Sequence, residues 1–159
     1  MSRDRYRSYA IVLWLLTFLF FLRVLTQALV AFFEIDFLPS MEEWTLPSGS
    51  PFSTSGLIPY PILLFLQCLI LMVQVKICFD FSREYGLSVI PRAWLGMFLR
   101  WFSTLYFISM ILRYAITMTL YPERRWLGSV AIIFFHFVLA GFLLVLGHFH
   151  TKRSPSLIK

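Results

Sequence analysis

Charge is scarce in this sequence: Asp, Glu, Lys and Arg together make up 14% of 159 residues, against about 25% in ordinary soluble domains. That leaves too little polar surface to wrap a water-soluble core of this size. Asparagine is absent altogether, so the chain carries no N-glycosylation acceptor, in keeping with a bacterial membrane. Cysteine is limited to Cys68 and Cys78. Ten residues apart on one helix, the two lie about 280° around the axis and point different ways. A disulfide or metal pair between them is thereby disfavoured, and both read as small core residues. No acidic residue falls inside any long apolar run, which removes the carboxylate partners that acid–base chemistry at depth would need.

What the chain has instead is apolar length. Hydrophobic residues reach 59%, with a mean hydropathy of +0.77, where soluble proteins hold roughly 45–50% apolar residues. Four runs, over residues 9–33, 56–79, 93–121 and 126–149, each reach the ~20 residues that cross a hydrocarbon core as a helix. The expected fold is all-α: a polytopic membrane protein forming a four-transmembrane-helix bundle, one integral membrane domain over residues 1–159 with no soluble domain and no repeat. A chain this short makes one small bundle, completed in some assemblies by other subunits.

The first run opens like a signal peptide, with Arg3, Arg5 and Arg7 before an apolar stretch and Leu29, Val30 and Ala31 as a poor cleavage site. Apolar character resumes beyond Arg23 as far as Phe33, so a retained helix is expected. Residues 34–55 form the one long loop, acidic through Glu34, Asp36, Glu42 and Glu43 and broken by Pro39, Pro47 and Pro51. Ser40 followed by Glu43 has the form of a capping box, which predicts a short interfacial helix through Trp44 until Pro47 stops it. Pro59 and Pro61 stand in or near the first turn of the second run, where missing backbone donors cost least. Lys76 and Asp80 make an i,i+4 pair at its exit, and a short connection with Gly86 and Pro91 leads to the third run. There Arg100 reaches the headgroups through its long stem. Residues 121–125 make a tight hairpin, and Trp126 anchors the fourth run at an interface. The other tryptophans mostly fall at interfaces too, while the 18 phenylalanines suit lipid-facing surfaces or a pigment or quinone site equally.

The net charge of +6 does not indicate nucleic acid, because the basic residues sit at the ends of apolar runs rather than in one polar block. Topology accounts for them. Residues 3, 5, 7, 76, 83, 92, 152, 153 and 159 are basic and fall on one side of the four-span arrangement, against only Arg124 and Arg125 on the other. By the positive-inside rule both termini are cytoplasmic and the acidic loop lies outside, most simply in a bacterial inner (plasma) membrane.

Each run also carries one polar edge. Tyr106, Ser109, Arg113 and Thr117 are spaced by three, four and four residues and share one face of the third helix at about 100° per residue. Arg23, Gln27 and Glu34 share an edge of the first, Tyr60, Gln67, Gln74 and Cys78 an edge of the second, and Ser129, His136, Ala140 and Gly147 an edge of the fourth. The small members of that last edge predict close helix approach. Counted from the middle of each run, Arg23, Gln27, Gln67, Tyr106, Arg113 and His136 reach similar depths, near the bilayer centre or its outer half. They are the candidate ligand-binding residues.

An arginine at that depth costs roughly 2.5–3.5 kcal/mol on insertion scales and calls for a partner. In one reading the polar groups satisfy one another, Gln67 bonding His136 or Tyr106 and Glu34 pairing with Arg113 or Arg23, as interhelical glue at about 0.6 kcal/mol per bond. In a sharper one, Arg23 and Arg113 hold an anion such as a lipid phosphate, a carboxylate or an anionic cofactor, since guanidinium offers a bidentate fork. No catalytic or metal-binding role is assigned to any residue. His136 has no carboxylate beside it, Ser109 and Ser129 lack a nucleophile motif, and His148, twelve residues beyond His136 on the same helix, does not complete a bis-histidine haem site. His148 and His150, about 200° apart around a helix, chelate poorly. No cofactor is named by these residues. The functional expectation is a non-catalytic accessory or structural subunit of a larger membrane complex, or a homo-oligomer, among membrane lipids. The alternative is a binding or carrier protein for an anionic lipid-like or cofactor molecule held by the intramembrane arginines.

Overall fold

The computed structural model describes residues 3–33, 60–120 and 128–152 of the chain, and these fold into four α-helices. They are α1 (Arg3–Phe33), α2 (Tyr60–Arg83), α3 (Ala93–Leu120) and α4 (Gly128–Lys152), with a 3-10 turn at Leu87–Val89 between α2 and α3. All four are long and apolar enough to cross a membrane, over Tyr6–Leu29, Pro61–Arg83, Ala93–Ile116 and Phe134–Lys152. Three ends run past the apolar spans expected from sequence. The helix of α1 already includes Arg3, α2 continues through the Lys76–Asp80 ion pair (3.2 Å) to Arg83, and α4 ends at Lys152. Basic side chains are good helix formers, so helices do not stop where their apolar stretch stops. The acidic loop, the 40–46 helix, the 121–125 hairpin and residues 153–159 lie outside the described residues, as do the side chains of Tyr60, Thr117 and Ser129.

Spacing on α1 explains the packing. Its buried residues Ala10, Leu13, Thr17, Phe20, Val24 and Gln27 recur at alternating intervals of three and four, the seam along which helices pack at a shallow angle. Against this seam stand Cys78 and Phe81 of α2 and Val138, Phe142, Leu146 and Phe149 of α4, giving two core clusters shared by the same three helices. Phe149 closes one end, with ring centroids 4.6 Å from Phe81, 5.4 Å from Tyr9 and 5.9 Å from Tyr6.

The opposite side of α4 receives α3. Here small residues set the approach: a Cβ at Gly96 would stand 2.5 Å from the Thr151 backbone nitrogen, and one at Gly147 would meet Arg100 and Leu99 at 3.0 Å. Between them the buried Ser103 hydroxyl donates to the Ala140 carbonyl at 2.7 Å. The edge containing Ala140 and Gly147 thus packs closely, as its composition predicts. Arg100, whose stem crosses Gly147, remains exposed.

Neighbouring helices run antiparallel, α1 against α2 and α4, and α4 against α3, whereas α2 and α3 do not pack along each other among the described residues. Among the described residues the bundle is therefore three helices around a core with a fourth carried chiefly on α4. A square bundle, with two neighbours for every helix, is the simpler inference from four spans, and the wide small-residue contact on α4 is what departs from it.

A tight turn joins α2 to α3. The Asp80 carboxylate accepts from Lys76 Nζ at 3.2 Å and from the Ser88 amide at 3.3 Å, clasping the 3-10 turn to the end of α2. Gly86 adopts φ +126°, and a Cβ there would lie 2.4 Å from Asp80 Cγ. Only glycine suits both the backbone angle and the space.

Candidate functional site

Four helices bring polar side chains to one region, and hydrogen bonds sort them into two groups. On the α1–α2 side, Arg23 and Gln27 are one helical turn apart on the buried seam, and the Arg23 guanidinium donates to Gln27 Oε1. The same oxygen accepts from Gln67 Nε2 of α2 at 3.1 Å. All three are buried. The Arg23 guanidinium carbon also lies 5.5 Å from the centroid of the Phe135 ring on α4, a cation–π contact strengthened by low polarity around it. On the α3–α4 side, Tyr106 Oη and His136 Nδ1 share a hydrogen bond of 2.5 Å, with their rings edge-to-face at 5.8 Å.

Arg113 stands on the face of α3 that carries Tyr106 and is half-buried. Among the described residues Arg113 has no hydrogen bond or ion pair. Within the four spans the only carboxylate is Asp80, which is engaged by Lys76 and Ser88 at the far end of α2. Among the described residues the region therefore holds two guanidinium charges, a phenol–imidazole pair and two amides.

Each sequence-derived candidate has a definite place here. Arg23, Gln27 and Gln67 are joined, Tyr106 and His136 are joined, and Arg113 stands apart from both sets. Gln67 bonds Gln27 rather than His136 or Tyr106, because the α1 seam lies against α2 and leaves α3 beyond α4. Glu34, the other proposed partner of the arginines, lies outside the described residues. Ser109 does not share the inward face of Tyr106: it is exposed, and its hydroxyl donates back to the Tyr106 carbonyl at 2.8 Å. The three-residue step turns it about 60° away from Tyr106, enough to carry it off a narrow interface.

Two buried hydroxyls escaped the sequence reading. Ser103 and Thr17 look unremarkable singly, yet Ser103 follows Gly96 by seven residues and matches the spacing of Ala140 and Gly147, while Thr17 sits in the three-four seam of α1. Thr17 Oγ1 pairs with Cys78 Sγ at 3.3 Å, and Cys68 is exposed on another face of α2. Gln74 belongs to the same edge as Gln67 and Cys78 and is 2% exposed, but neither end of its amide has a protein partner, nor does Gln67 Oε1. A buried polar group left so costs roughly 1–3 kcal/mol. His150 Nδ1 is likewise unpartnered at the foot of α4.

No group of three or more potential metal-ligating His, Cys, Asp or Glu side chains occurs among the described residues. The arrangement suits the binding of negative charge or of another polar helix, since guanidinium, phenol and amide groups donate hydrogen bonds. The chain matches no protein-family model, no curated protein sequence and no solved structure.

Proposed function

We propose that this chain is a non-catalytic integral membrane protein that works by association, as a small accessory or structural subunit of a larger membrane complex or as a homo-oligomer. The carrying observation is α3. Among the described residues it packs chiefly on α4, and it holds Arg113 half-buried with no hydrogen bond or ion pair. A guanidinium at that depth is stabilised by an opposite charge, and a carboxylate on a partner helix supplies one. The outward side of α3 has the matching form: Trp94, Phe98, Trp101, Leu105, Ile108 and Leu112, each more than half exposed, recur at alternating four- and three-residue steps, the pattern of knobs for a second helix. The protein sits in the bacterial inner membrane with both termini cytoplasmic, a placement supported by the distribution of Lys and Arg.

A second reading has its own support. Two arginines, Arg23 and Arg113, lie deep in spans whose one carboxylate, Asp80, is engaged by Lys76 and Ser88, which favours a carrier for an anionic amphiphile with its head group between Arg23 and Arg113. Native mass spectrometry of the protein extracted in mild detergent separates the two. Further polypeptides or copies in fixed ratio, lost on Arg113→Leu, support the subunit. A bare chain that retains one small anionic molecule, released by the same substitution, supports the carrier. If Arg113→Leu changes neither assembly nor ligand content, both readings fall.

A further inference from the structure

The interface between α1 and α2 is polar at almost every turn. From the Arg7 end inward, Trp14 Nε1 donates to Ser82 Oγ at 3.0 Å, and Ser82 Oγ donates to the Cys78 carbonyl at 2.9 Å. Next comes the Thr17–Cys78 pair at 3.3 Å, then Gln74, then Gln67 with Gln27 and Arg23. Gln74 is the anomaly in this series. Its neighbours on α2, one turn and two turns away, each reach a polar group of α1, whereas at its own level the seam presents Phe20 and Val24, which form no hydrogen bonds.

Such an amide needs a partner that the described residues do not provide. At 2% exposure the side chain is out of reach of a second chain or a lipid head group, so only a very small polar molecule can satisfy it. Water meets the requirement: it donates to Gln74 Oε1, accepts from Nε2, and has two further hydrogen-bonding positions to spare, as buried waters commonly use. The unpartnered Gln67 Oε1 lies on the same face, seven residues and about 10 Å away, and calls for a donor of the same kind. At the other end the series opens into a groove of about 430 Å³ lined by Arg7, Trp14, Ser82 and Glu84.

We infer that the α1–α2 seam binds internal water, at Gln74 and against the Gln67 carbonyl.

The chain has three glutamines, Gln27, Gln67 and Gln74, so uniformly ¹⁵N-labelled protein gives three glutamine side-chain amide signals, assigned by single Gln→Leu substitutions, beside the backbone amide signals. In lipid bilayers, water-to-amide magnetisation transfer by solid-state NMR reads hydration at each. Transfer to the Gln74 amide is expected at least threefold faster than to the backbone amide of Val73, its lipid-facing neighbour, and Gln74→Leu is expected to slow transfer to Gln67 and lower the thermal midpoint. Equal build-up at Gln74 and Val73 in the unaltered protein overturns the inference. So does a Gln74→Leu variant that is more stable than the parent, because a dry orphan amide is better replaced by a hydrocarbon.

Discussion

Two residues carry requirements that neighbours of similar type do not. Gly86 is fixed by an angle and a distance at once, φ +126° and a carboxyl carbon 2.4 Å from where a Cβ would stand. Gly86→Ala is expected to cost about 1–3 kcal/mol, read as a lower thermal midpoint in detergent. Pairing it with Asp80→Ala removes the clash but leaves the angle and also takes away the Lys76 and Ser88 contacts, so the loss should not be recovered. Tyr106 and His136 make a different kind of demand, a short hydrogen bond between helices that touch closely. A double-mutant cycle with Tyr106→Phe and His136→Leu should give a coupling of about 0.6 kcal/mol and no more than about 1.7 kcal/mol, the range seen for such bonds in membrane bundles. A larger value would mean that the pair is supported by Arg23 and Arg113 as a network rather than as an isolated bond.

At the scale of the helix, contact between α3 and α4 depends on what is missing from Gly96 and Gly147. Gly147→Leu places a branched side chain where Arg100 and Leu99 already lie at 3.0 Å from a Cβ, so α3 must move outward and the Ser103–Ala140 hydrogen bond must break. Spin labels on the exposed Phe102 and Leu144 should report a wider and broader distance distribution in that variant. An unchanged distribution would show that the contact is not set by size. The helices themselves were legible in sequence, since runs of more than 20 apolar residues leave few alternatives. Their partners were less so. The α1 seam was hidden because its residues are apolar on all sides and only their burial distinguishes Leu13 from Leu15. The α4 edge could be read because Ala140 and Gly147 are small among large neighbours. Of the six candidate residues, the depth was readable from counting along each run, but the partner choice of Gln67 was not, because it depends on which helix α2 faces.

For the molecule as a whole, sequence yields four spans and a direction of charge, while the three-plus-one arrangement comes only from packing. The proposed orientation makes its own prediction: cytoplasm-active reporters joined at either terminus should be active, and one inserted within residues 34–55 inactive. The converse pattern would overturn the charge argument. Because every helix packs antiparallel to its neighbours, the helix dipoles oppose one another in pairs, and the net field inside the apolar layer belongs chiefly to Arg23 and Arg113. That field is positive. An anion inserted at that level of the bundle gains from it, and an inserted cation loses.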